Sequence, residues 1–133
     1  MKSLYCLLCA VFLCVCSCKS DTNIPLPRFW HDGCANFAED ENGYKHEGRC
    51  CEWVSIPKID LKKNSTFNTQ GKYSRYTASS GKNIEDMPIS VTGSLSADGK
   101  VLELSYTVDN EAQHYQMINS DTPVLCDCQC YFK

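Results

Sequence analysis

Cys126, Cys128 and Cys130 stand at alternate positions near the end of the chain, Cys50 and Cys51 are adjacent, and Cys34 precedes them. Thiols at such spacings can cross-link, hold a soft metal ion or exchange disulfides. Structural zinc sites space their first ligands by two to four residues, which neither Cys-Cys nor Cys-x-Cys does. A redox-active Cys-x-x-Cys is absent. Cross-linking is therefore the expected chemistry, with no metal bound and no cofactor. Six cysteines allow 15 pairings; the favoured six join each early cysteine to a late one. Closing a loop of about 75 residues, from Cys50 or Cys51 to the last trio, stabilises by roughly 4–5 kcal/mol on the chain-entropy model.

No other constellation suggests catalysis. His31, His46 and His114 are the only histidines, and none lies in a His-Glu-x-x-His spacing. Gly93-Ser94-Leu95-Ser96 lacks the second glycine of a nucleophile elbow and falls in a strand pattern. Glu85-Asp86 before Met87-Pro88 reads as a solvated loop, and Glu39-Asp40-Glu41-Asn42-Gly43 lacks the alternate ligands of a calcium loop. The expected catalytic residues are none, and the protein is read as a non-enzyme.

Five further cysteines lie in Met1–Cys18, where Lys2 precedes an apolar run from Leu4 to Val15. A positive start, a short apolar run and a small-residue exit mark a secretory signal peptide. Cleavage after Ser20 leaves six cysteines, an even number that suits an oxidising compartment. The alternatives for this leader are a membrane anchor or a lipidation site at Cys18. The organisation expected is a signal peptide over 1–20 and a single secreted β domain over 21–133, with extracellular localisation. Removing Lys2 and Lys19 takes the formal charge from −3 to −5. An acidic domain without a basic stripe argues against nucleic acid and against electrostatic membrane attachment. Asn64-Ser65-Thr66 is an N-glycosylation acceptor, which places Asn64 at the surface.

The elements that must position these residues are strands. Ile89, Val91, Gly93 and Leu95 alternate with polar residues, then Asp98-Gly99 intervenes, and Leu102, Leu104, Tyr106 and Val108 alternate again. Two period-two runs around Asp-Gly are a strong hairpin signal. His114–Asn119 and Val124–Phe132 continue the pattern, and Glu52–Ile56 and Gly71–Thr77 carry shorter versions. On a regular last strand, Cys126, Cys128 and Cys130 would share one face. Cys50 and Cys51 would face opposite ways, which predicts an irregularity at Arg49–Glu52. Residues 21–48 show no sustained period and read as an irregular N-terminal arm tied by Cys34. The expected fold is all-β: a small antiparallel meander of six to seven strands, barrel or sandwich, stapled by disulfides.

Several elements resemble lipocalins, particularly the invertebrate type related to apolipoprotein D and the crustacyanins. Ile24-Pro25, Gly33-Cys34 and Gly48-Arg49-Cys50-Cys51-Glu52 follow the order of that family's Pro-containing arm, its Gly-Cys and its first-strand signature. Tyr115–Asp121 followed by Val124–Cys130 has the outline of its late strands. The chain departs from the pattern in placing Cys50 where the tryptophan of the first strand stands, with Trp53 three residues later. Thr122 replaces the turn tyrosine, and the sequence ends before an eighth strand and packing helix. The resemblance implies an up-and-down barrel carrying a small hydrophobic ligand.

On the inward parity of the hairpin, Val91, Leu102, Leu104, Tyr106, Tyr115 and Met117 are the candidate ligand-lining residues. The same residues are those a domain of this size needs to fill its core. The alternative to a carrier is a secreted effector or toxin-like protein that engages an extracellular protein through its surface, with Phe29, Trp30 and Tyr44 as aromatic anchors.

Overall fold

The computed structural model describes residues 29–48, 50–77 and 83–127. The leader, residues 21–28, Cys128 and Cys130 lie outside them. Eight strands follow one another: β1 (Phe29–Asp32), β2 (Ala35–Asp40), β3 (Gly43–Glu47), β4 (Glu52–Pro57), β5 (Ser65–Arg75), β6 (Ile84–Leu95), β7 (Val101–Val108) and β8 (Glu111–Ser120). Each pairs antiparallel with the next, and β8 returns to β1 to close a barrel. The all-β antiparallel expectation holds, with eight strands rather than six or seven. Closure leaves no unpaired sheet edge, the standing liability of small β proteins.

Turn chemistry explains the hairpins. Between β6 and β7, Gly99 takes φ +76, Asp98 accepts from the Lys100 amide at 3.0 Å, and the Ser96 hydroxyl accepts from the Val101 amide at 2.9 Å. Between β7 and β8, Asp109 (φ 52) and Asn110 (φ 65) form the two-residue left-handed turn that matches strand twist. Where Phe67 of β5 opposes Gly93 of β6, a Cβ on the glycine would lie 2.3 Å from the phenylalanine ring. Glycine there lets the ring lie flat over the backbone.

Residues 29–47 are not an irregular arm. They form β1, β2 and β3, because Trp30, Phe37, Tyr44 and His46 all turn inward on paired positions. Trp30 and Tyr44, expected as exposed anchors, are buried. Gly48–Glu52 does not open the first strand: Cys50 lies in the β3–β4 connection, and the tryptophan of β1 is Trp30. The irregularity expected around Cys51 is present, with Cys51 at φ 57 and the Gly48 amide bonded to the Glu52 carbonyl at 3.0 Å.

The expected last strand is not one over its described part. Residues 121–127 turn back from β8 and run outside the barrel toward the β1–β2 turn. Asn36, on the outer side of β2, holds this strap as a backbone would: it donates to the Val124 carbonyl at 2.8 Å and accepts from the Val124 amide at 2.9 Å. Cys34–Cys126 then bridges residues 92 apart in sequence, an early-to-late bond of the kind expected. Cys50 and Cys51 are also disulfide-bonded. Val124–Asp127 carries no ladder pairing, so Cys126 does not stand on a strand; Cys128 and Cys130, on which the rest of the same-face argument depends, lie outside the described residues.

Antiparallel order sorts the connections into two ends. The β2–β3 and β6–β7 turns and the β4–β5 loop meet at the hairpin end. The other end, with the β1–β2 and β7–β8 turns and the described part of the β3–β4 connection, carries Cys34, Cys50, Cys51 and Cys126 and is the cystine end. The hairpin end is filled with apolar groups. Trp30, 1 % exposed, packs edge-on against Phe37 at 6.0 Å and points its indole N–H at the Gly99 carbonyl, 3.4 Å away. Phe37 stacks on Tyr44 at 5.2 Å, and Leu61 of the β4–β5 loop is buried among the core residues.

Candidate functional site

All six residues expected to line a ligand are buried on the inward parity, but they do not form one surface. Leu102, Leu104 and Met117 belong to the apolar half. Tyr106 and Tyr115 belong to a second, polar half toward the cystine end, and Val91 pairs across from Tyr106. Three residues that the sequence reading did not select complete this half: His46 from β3, Glu52 from β4 and Tyr73 from β5.

The rings meet across the lumen. His46 lies 4.5 Å from Tyr115 and 5.8 Å from Tyr106, in both cases edge to face. Tyr106 stacks on Tyr115 at 6.1 Å and lies 6.3 Å from Tyr73. Strands β3, β5, β7 and β8 thus supply one aromatic cluster. Each ring arrives because its strand alternates: Tyr44-Lys45-His46-Glu47 and Lys72-Tyr73 send every second residue inward.

Glu52 caps the cluster. Its carboxylate accepts from the Tyr73 hydroxyl at 2.8 Å and from the Tyr115 hydroxyl at 3.4 Å. A glycine at position 48 makes room for it, since a Cβ there would sit 2.3 Å from the Glu52 Oε1 atom. Arg75 opposes Glu52 in the ladder but directs its guanidinium to Asp109, 2.9 Å away at the rim. Burial and the Glu52 carboxylate hold the Tyr73 hydroxyl protonated well above the usual phenol range. Tyr106 is pushed further in the same direction, chiefly by burial and then by the Tyr115 hydroxyl.

His46 is fully enclosed, and its protonation state follows from geometry. Its Nδ1 lies 3.2 Å from the Asn36 carbonyl, which can only accept, so Nδ1 carries the hydrogen. Burial lowers its pKa to about 4, against smaller opposing effects of the Asn36 carbonyl and Glu47. At neutral pH the ring is uncharged, and Nε2 presents a lone pair. Nδ1 is turned to the β2 wall, and Nε2, across the ring from it, is buried with no hydrogen-bond partner among the described residues. The Tyr106 hydroxyl is also buried, and beside burial it is the neighbouring Tyr115 hydroxyl that holds its proton.

Other features carry less. A cleft of about 610 Å³ opens where the end of β4 leaves β5, lined by Tyr44, Ile56, Gly71 and the exposed Asp40, Lys72 and Asp86, the last two ion-paired at 3.7 Å. Its charged groups are all solvated. Ser105 and His114 form a hydrogen bond of 2.8 Å, but as exposed cross-strand partners on the outer face. No group of three His, Cys, Asp or Glu among the described residues is placed to hold a metal ion. Asn64 is exposed in the turn before β5. No helix among the described residues is long and apolar enough to cross a membrane.

Comparison with protein-family models, with curated proteins and with solved structures gave no match.

Proposed function

We propose that the protein is a secreted binding protein that takes one small ligand inside the barrel, at the polar half next to the cystine end. The observation that carries this reading is the unpartnered His46 Nε2 inside a ring of tyrosines capped by Glu52. A buried polar group without a partner costs about 1–3 kcal/mol. A barrel selected only for stability would hold an aliphatic side chain there, as it does at Leu102 and Leu104. A guest that donates to Nε2 removes the cost.

Disulfides support an oxidising compartment. Export through the 1–20 leader and a glycan on Asn64 belong to the same reading. The closed eight-strand barrel is compatible with the lipocalin resemblance. However, ring contacts at 4.5–6.3 Å across the lumen favour a compact ligand over a long acyl chain or retinoid. The surface-binding alternative loses two of its three anchors, since Trp30 and Tyr44 are core residues.

Calorimetric titration with a panel of small aromatic and aliphatic compounds tests the reading. The expected result is one mutually competitive site per chain, whose heat vanishes in Tyr115→Leu while the far-ultraviolet circular dichroism is unchanged. Absence of any stoichiometric binding, or binding that survives Tyr115→Leu, rejects it. Tryptophan quenching is a poor reporter here, because Trp30 lies at the far end and Trp53 stacks outside on Tyr76.

A further inference from the structure

Resting on the interior-ligand reading, the geometry points to a guest that is a small protonated amine with an aromatic or compact apolar body. The polar atoms that the cluster leaves for a guest are mostly acceptors or hydroxyls, the exception being the Nε–H of Arg75 at the edge beside Tyr73. His46 Nε2 is a lone pair. Glu52 contributes a carboxylate that forms no ion pair with any described residue, the nearest ladder cation, Arg75, being engaged by Asp109. The Tyr73 and Tyr115 hydroxyls already donate to that carboxylate. Those two hydroxyls are thereby engaged, and the guanidinium of Arg75 is neutralised by Asp109 at the rim.

The rings reinforce the same polarity. The faces of Tyr73, Tyr106 and Tyr115 present the negative side of their quadrupoles, which attract a cation within about 6 Å. An ammonium supplies three donors for Glu52, for Nε2 and for a ring face or the Tyr106 hydroxyl. The remaining body of the guest would lie between tyrosine rings, where stacking is favourable. A carboxylate ligand would meet Glu52 and an unprotonated imidazole, a like-charge and lone-pair mismatch. A neutral hydrocarbon would leave Nε2 still unpaired.

A matched pair of probes isolates the charge: 2-(4-hydroxyphenyl)ethylamine and 4-ethylphenol share one ring and differ in the ammonium group. With the full secreted chain at pH 7, the amine is expected to bind at one per chain and about 10–100-fold more tightly than the phenol, as a charge-assisted bond to Glu52 implies. In Glu52→Gln, which keeps the shape and one acceptor oxygen but not the charge, the amine should lose most of that margin while the phenol changes less than about threefold. Equal affinities for the two probes overturn the amine assignment and leave the interior site standing. Failure of every compound to bind overturns both. Should Glu52→Gln not fold, the comparison of probes on the unmodified protein decides the matter alone, and Tyr115→Phe, which retains the ring, serves as the second variant.

Discussion

Replacing Cys34 and Cys126 together by serine is expected to lower the free energy of unfolding by about 4–5 kcal/mol. The bridge joins residues 92 apart, so cutting it returns a long loop to the denatured ensemble. The change also unpins the 121–127 strap, which is then held at this point by the two hydrogen bonds between Asn36 and Val124. Net stability of a small domain is about 5–15 kcal/mol, so the variant should be unfolded or nearly so at 37 °C. Replacing both cysteines leaves no odd thiol to confuse the result. Urea denaturation of parent and variant measures the difference. A loss under about 1 kcal/mol would show that the denatured chain gains little freedom from the cut.

His46 should make the fold acid-sensitive. Its folded pKa is about 4, whereas an unfolded histidine titrates near 6.5. Between these values the unfolded chain takes up a proton that the folded chain refuses. Stability is therefore full above about pH 6.5 and declines as pH falls toward 4, by roughly 3 kcal/mol over that window. The groups around the ring offer little relief to a charged imidazolium: Asn36 from β2 gives only a carbonyl, Tyr106 and Tyr115 give ring contacts, and Glu47 lies on the outward side of its own strand. In His46→Phe this part of the pH dependence should disappear. Unfolding free energies at pH 7 and 4.5 for both proteins check it; the same slope in parent and variant would assign the acid sensitivity elsewhere.

The hairpin of β6 and β7 was legible because each run is long enough to show a period of two and Asp98-Gly99 marks the turn. The first three strands were not, for a physical reason. They are four, six and five residues long. In β2 the alternation is masked, since Ala35, Asn36 and Phe37 are all buried, the middle one by the strap on the outside rather than by the core. The acids at Glu39–Glu41 then read as loop, although they end β2 and begin its turn. Missing β3 hid His46, which falls inward only once Gly43–Glu47 is taken as a strand. Glu52 and Tyr73 were hidden differently: Glu52 opens one short run and Tyr73 stands inside another, and nothing in the sequence says that a glutamate at a strand start will turn inward. At the other end of the chain, alternate cysteines imitated a strand period, whereas Cys126 is placed by its bond to Cys34 and the strap pairs through a side chain.

Imidazole nitrogen spectra, recorded by long-range proton correlation with and without saturating 2-(4-hydroxyphenyl)ethylamine or 4-ethylphenol, test most directly whether a ligand sits against His46. In the free protein, His46 is expected as the Nδ1–H tautomer with an unprotonated Nε2. On binding, the Nε2 resonance should move as it accepts a hydrogen bond, while His31 and His114 stay in place. A His46 signal that does not move at saturation, with shifts confined to residues of the outer face, would contradict an interior site.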